Sequence, residues 1–375
     1  MKNMTIILST GVALFSMFFG SGNLVFPILV GKLCEGHYLV ALMGIFLTGV
    51  LVPFLGSLAI FLFNGDSNAF FSRLGKGATF WFPLFALSIM GPFGVLARCI
   101  TVAHGAFRLL SPQTPLWAFS LCTCSCIFFL TIRRNRVVSL IGVTLTPVLL
   151  ASIAAIAIFG VAGASLPIPS DNGSWTGFKE GIYQGYQTMD LLASFFFSAF
   201  IIKHLSEQEG VTLSSFFKAS LIGSGLLSLV YFVLVLLGSM YATQLDSIPP
   251  QEMLGFIAQQ SLGYFAAPVV CIAVILACLT TAIVLSSLFA DFLKTEISNN
   301  KLSASVSLLV TLAIAFGIST LEFAGIMKII GPILEFTYPA LIVFTITSIF
   351  HQLFGLKIIR TPTAIAVLLK ILSAI

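Results

Sequence analysis

Charge is what this chain has least of. Only 8% of its 375 residues are Asp, Glu, Lys or Arg, 58% are hydrophobic, and the mean hydropathy is +1.09. A soluble globular surface needs far more charge than this to stay in water. Histidine is also sparse, with four residues, and the seven cysteines contain no CxxC pair. The spacings that hold zinc or run thiol exchange are therefore absent, and small apolar packing is the expected role of the cysteines. Cys122, Cys124 and Cys126 step by about 200° around one helix, which turns Cys124 away from the other two and excludes a metal cage there. The net charge of +5 is spread over short loops without forming a basic patch, so nothing points to nucleic acid. Long polar stretches are missing too, which leaves no room for a soluble domain between the apolar runs.

What is present is apolar sequence in repeated runs, each able to cross about 30 Å of hydrocarbon at ~20 residues per helix. They lie near residues 5–31, 38–63, 79–109, 116–132, 136–162, 181–203, 214–240, 264–292, 303–320 and 325–350, with a shorter one from 357. The pattern predicts an all-α polytopic membrane protein of about eleven transmembrane helices. Neither a signal peptide nor a single anchor has this form. Most Lys and Arg fall in alternate loops, among them Arg73, Lys76, Arg133, Arg134, Arg136, Lys294 and Lys301, which places the N-terminus in the cytoplasm.

The first run is interrupted. Gly20-Ser21-Gly22-Asn23 and then Pro27 sit between apolar flanks, and these residues weaken or break a helix that lipid otherwise favours. Irregular backbone at membrane depth is tolerated only where protein or a wet cavity satisfies it, as at transporter sites. The other reading is a small-residue face packed on a neighbouring helix. The sixth run repeats the feature, because Gly181, Gln184, Gly185, Gln187, Thr188 and Asp190 precede a strongly apolar stretch. Corresponding interruptions point to two repeats, residues 1–162 and 181–350, followed by an extra helix in 356–375. Thr146-Pro147 and Gly331-Pro332 echo each other more loosely in the fifth and tenth spans.

Three charges fall inside spans. A carboxylate such as Asp190 costs roughly 2.5 to 3.5 kcal/mol at a helix centre, so it must face a cavity, a cation or a partner, or stay protonated. Its alternative is to cap the helix that starts there. Arg98 is expected to form an ion pair with Asp190 or Glu335, with free carbonyls and a substrate carboxylate as the alternatives. His104 reads as a hydrogen-bonded packing histidine before a proton carrier. In the eighth span Ala277, Thr280 and Thr281 lie on adjacent turns. Their oxygens, with carbonyls near Ser16 and Phe19, suit a hard monovalent cation, whereas the bland reading has the hydroxyls bond back to their own helix.

The strings FFGSGNLVFP (Phe18 to Pro27), GP ahead of Arg98, GYQTMD (Gly185 to Asp190) and TYP (Thr337 to Pro339) together resemble the branched-chain amino acid:cation symporter family. The likeness extends along nearly the whole chain. It implies a LeuT-like fold, a 5+5 inverted repeat with broken helices 1 and 6, and sodium-coupled uptake of Leu, Ile and Val across a bacterial inner membrane. It implies no organic cofactor. By the same resemblance the amides of Gly20, Ser21, Gly22 and Asn23 take the substrate carboxylate. Tyr186, Thr188, Met189 and Asp190 line its other side, with the ammonium on carbonyls or on Asp190. Na+ falls to Ser16, Phe19, Ala277, Thr280 and Thr281.

The chain also departs from the family. It has Ala97, Arg98 and Cys99 where such carriers usually have Pro-Arg-Thr, and Glu335 where they are generally neutral, which leaves protons open as the driving ion. It stops after a short eleventh span where members usually show twelve. Two rivals share the breaks: a carrier of similar fold for another small amino acid or a nucleobase, and a non-transporting amino acid sensor. No nucleophile with its base argues for an enzyme; Cys99 and His104, five residues apart, point about 140° from each other on a helix.

Overall fold

The structure, a computed structural model, describes residues 2–132, 150–162, 173–206, 213–263 and 266–355, with single positions 147, 164 and 363. Helices are the only regular elements among these residues. The first span is two helices, α1 (Lys2–Phe18) and α2 (Ser21–Cys34), parted at Phe19 and Gly20. The second is α3 (Tyr38–Phe46), a π turn at Leu47–Leu51 and α4 (Val52–Leu62), followed by the short α5 (Ser67–Ser72). The third is α6 (Ala78–Met90) and α7 (Val95–Phe107). It too is broken, at residues 91–94, where GPFG removes a donor and two side chains from the helix.

The fourth span is α8 (Leu116–Ile132), and the described part of the fifth is α9 (Leu150–Ala162). The sixth is divided like the first, into α10 (Ser174–Gln187) and α11 (Asp190–Ser206). Then come α12 (Leu213–Met240), the loop helix α13 (Met253–Leu262), α14 (Ala266–Phe292), α15 (Ala304–Ser319) and the long α16 (Glu322–Phe354). Among the described residues, five helical stretches are long and apolar enough to cross a membrane: Ser21–Leu62, Ala78–Phe107, Ser214–Met240, Pro268–Ile297 and Glu322–Phe354. The expected run from 357 (but for position 363), Thr146 and about half of the fifth span lie outside the described residues.

Two boundaries differ from expectation for a physical reason. Polar residues at 174–180 read as loop, yet α10 begins at Ser174, because backbone packing against α3 outweighs the weak apolar pattern. A Cβ on Gly181 would overlap the Ala41 carbonyl, and one on Gly44 the Phe178 carbonyl. Likewise, α13 folds within the connection between the runs at 214–240 and 264–292.

Small residues also seat α2 on α12, where a Cβ on Gly31 would overlap the Val235 carbonyl. The packing-face reading of the first span therefore holds at Gly31 in α2, while Gly20 belongs to the break. Serine pairs tie further helices together, Ser57 with Ser198 at 2.8 Å and Ser120 with Ser319 at 3.0 Å. Large apolar side chains such as Phe129, Trp81 and Phe354 are exposed on the outside, as a lipid-facing surface requires. On α8, Cys124 is buried while Cys122 and Cys126 are exposed, as their spacing implied.

Candidate functional site

The breaks of the first and sixth spans meet in the core. At the first, the Gly20 amide leaves the helical ladder and donates to Asn23 Oδ1 at 2.9 Å. Phe19 still donates to the Phe15 carbonyl at 2.8 Å, and its ring stacks on Phe15 with centroids 5.0 Å apart. At the second break, Met189 adopts φ +63°, a left-handed conformation that costs an L side chain roughly 1–2 kcal/mol. Its amide reaches only the Tyr186 carbonyl, at 3.1 Å, and α11 restarts at Asp190. Thr188 caps this turn by donating to the Gly185 carbonyl at 2.9 Å.

One side chain bridges both breaks. Asn23 Nδ2 donates to Asp190 Oδ2 and to the Tyr231 hydroxyl, each at 2.7 Å, and Tyr231 donates to the same carboxylate oxygen at 3.2 Å. Asn23, Asp190 and Tyr231 are all buried. Asp190 thus opens α11 but bonds to partners on α2 and α12, which is the partner reading of this residue. Such a buried, mutually bonded set fixes the relative position of three helices.

Arg98 corrects an expectation. Among the described residues the ion pairs are Lys32 with Asp246 and Arg108 with Glu252, and Arg98 is in neither. Its Nη1 instead donates at 2.7 Å to the Gln187 carbonyl, one of those released where α10 ends. The guanidinium carbon lies 4.9 Å from the centroid of the Phe26 ring. Glu335 is half-buried on α16. His104 bonds the Thr114 carbonyl through Nε2 at 2.9 Å and packs on Phe119, so it is the packing histidine expected.

The residues read as a cation shell are only partly assembled. A Cβ on Gly20 would stand 3.3 Å from Thr281 Oγ1, which brings α14 against the first break. The Thr280 and Thr281 hydroxyls donate to the Ala277 carbonyl at 2.8 and 3.2 Å, and Ser16 Oγ donates to the Val12 carbonyl at 3.0 Å. In this conformation the hydroxyls satisfy their own helices. The donor set of hydroxyls and carbonyls still suits an alkali cation.

One buried polar residue of the site, Tyr231, carried no motif in the sequence. Tyr231 is the one tyrosine of α12, set in the apolar stretch from Leu229 to Leu237, and a polar ring tip in that setting is the signal that could have found it. Gln187, one of the polar residues of the second interruption, and Tyr338, of the TYP string, are fully buried, and among the described residues neither the Gln187 amide nor the Tyr338 hydroxyl has a hydrogen-bond partner. Tyr338 packs on Tyr186 with centroids 4.9 Å apart. Cys99 donates to Ser21 Oγ at 3.4 Å, so the departure from Thr keeps a polar contact with the opening of α2.

A membrane-embedded helical bundle whose helices break in pairs around buried polar groups is the architecture of a transporter, not of an enzyme. The chain's family can be given. The model of the branched-chain amino acid transport protein family matches residues 3–375, and the chain belongs to that family. It is 29% identical over 359 residues to the branched-chain amino acid permease BrnQ of Corynebacterium glutamicum, covering 94% of this chain and 82% of the relative. It is 30% identical over 363 residues to the branched-chain amino acid permease BraB of Bacillus subtilis, covering 92% and 80%.

Among solved structures, Mhp1 matches with a TM-score of 0.62 at 15% identity, over 98% of this chain and 91% of that one. Mhp1 is a nucleobase-cation-symport-1 family transporter, captured closed with bromovinylhydantoin bound. A manganese transporter of Eremococcus coleocola matches with a TM-score of 0.59 at 15% identity, over 99% and 86%. These likenesses show a shared LeuT-type fold and say nothing of cargo.

Proposed function

We propose that this protein is a secondary active transporter that carries leucine, isoleucine or valine into the cytoplasm together with a cation, sodium. The observation that carries the reading is the contact of the two breaks through Asn23, which ties the Gly20 amide to Asp190. Family membership supports the cargo class, and the Mhp1-like fold supports a 5+5 inverted repeat with its site between helices 1 and 6.

In this reading the opening amides of α2, from Gly20 to Asn23, take the carboxylate. Carbonyls from Tyr186 to Met189, with Asp190, take the ammonium, and Phe19, Phe26 and Met189 receive the aliphatic side chain. Sodium binds first, between the first break and Ala277, Thr280 and Thr281, with the threonine hydroxyls turning from the Ala277 carbonyl to the ion. That seats α1 against α14 and fixes the amides before the amino acid arrives. Rocking of the bundle then opens the site inward. At 100 mV one entering charge supplies ~2.3 kcal/mol, enough for roughly a fortyfold accumulation. The N-terminus is cytoplasmic.

The test is labelled-leucine uptake into proteoliposomes with sodium and proton gradients imposed separately. Uptake driven by sodium alone supports the reading; uptake driven only by protons moves the coupling role away from Thr281. The rival reading is a carrier of the same fold for a nucleobase or another small amino acid. Competition of leucine uptake by a panel of amino acids and nucleobases separates the two.

A further inference from the structure

Arg98 has more hydrogen-bonding capacity than its protein neighbours use. Its side chain is fully enclosed, Nη1 donates to the Gln187 carbonyl with Met327 Sδ 3.8 Å away, and both Nε and Nη2 lack a partner among the described residues. No carboxylate among the described residues comes within ion-pair distance of it. Leaving a buried donor unsatisfied costs about 1–3 kcal/mol, and more when the group is charged. Within the core such a group needs an explanation.

Its direction supplies one. A Cβ on Gly22 would come 2.9 Å from Arg98 Nη2, so the unused N–H groups lie beside the first turn of α2. That turn starts from Gly20, which has no side chain to cap the first amides. A helix start and a guanidinium fork therefore converge on one point, both presenting donors and positive potential. Phe26 covers one face of the guanidinium, and the Gln187 carbonyl pins its far nitrogen, so the fork is held in place.

We propose that Arg98 binds substrate directly. It and the first-turn amides of α2 grip the α-carboxylate of an amino acid, while Asp190, on the far side of the break, is left for the ammonium. The site then selects zwitterions by two opposite charges, and an amine, an amide or a nucleobase of similar bulk is refused. This inference rests on the amino acid reading above.

The experiment measures binding of leucine and of leucinamide, which lacks the carboxylate charge, to purified protein. Wild type is expected to bind leucinamide at least ~100-fold more weakly than leucine. Arg98→Gln should weaken leucine about 10- to 100-fold and pull the leucine-to-leucinamide ratio toward one, with Arg98→Lys in between. A ratio unchanged in Arg98→Gln, with both ligands weakened together, would mean that Arg98 only braces the Gln187 carbonyl, and overturns the inference. Should neither variant stay folded, wild type decides. Leucinamide binding as tightly as leucine then overturns the inference, and strong discrimination upholds it. Wild type that binds no leucine removes the amino acid reading itself, which separates the two failures.

Discussion

Asn23 and Asp190 lie 167 residues apart in the chain and 2.7 Å apart in the fold, one on each of two broken helices. The same Asn23 side chain accepts the Gly20 amide, so its two ends report on both interruptions at once. An apolar residue at position 23 would leave the Gly20 amide and the Asp190 carboxylate each short of a partner. A hydrogen bond to a charged group contributes roughly 1.5–3 kcal/mol.

Asp190→Asn should therefore lower leucine uptake by about tenfold or more, with the protein still inserted. Tyr231→Phe keeps the link between Asn23 and Asp190, so its loss should be only a few-fold. Uptake normalised to membrane-inserted protein gives the order. Equal losses in the two variants would place the carboxylate outside substrate handling.

Gly22 has no room for a side chain. Its Cβ would meet Arg98 Nη2 at 2.9 Å and the Thr188 backbone at 3.3 Å, whereas a Cβ on Gly173 would meet nothing within 4 Å. Gly22→Ala should cost about 1–3 kcal/mol of overpacking at the junction of the breaks, and Gly22→Leu should abolish uptake. Gly173→Ala should match wild type in the same assay.

How much of this was legible in the residues differs from one feature to the next. The two breaks were, because Gly20 to Asn23 and Gly185 to Asp190 are polar and glycine-containing where lipid demands apolar helix. The break at residues 91–94 carried a Gly-Pro signal but no polar side chain, and it passed as continuous helix. Arg98 read as half of an ion pair, since a sequence shows which carboxylates exist but not which carbonyls a broken helix sets free. Tyr231 was out of reach for a related reason: its importance lies in which helix it faces, and helix pairing across the core is set by backbone contacts such as Gly31 on Val235.

Thr281 touches the first break from α14, so the ion requirement should be sensitive to its hydroxyl. Thr281→Ala should raise the sodium concentration for half-maximal uptake several-fold more than it changes the leucine requirement, and Thr281→Ser should restore it. A sodium curve that does not move in Thr281→Ala takes the residue out of the ion shell.

Met189 exchanges backbone strain for burial. Replacing it with Gly relieves roughly 1–2 kcal/mol at φ +63° but gives up a side chain that is 1% exposed, worth about 2–5 kcal/mol. The net effect should be a lower melting temperature of the purified protein. A higher one would show that the side chain contributes little where it sits.

The most direct measurement is an experimental density map of the protein saturated with leucine and sodium. The account predicts ligand density between Gly20–Asn23 and Tyr186–Asp190, with the carboxylate toward Arg98 and the start of α2. Density elsewhere would contradict it, for example in the peripheral cavity of about 160 Å³ lined by Leu33, His37, Thr176 and Glu180, with the two breaks still closed on each other.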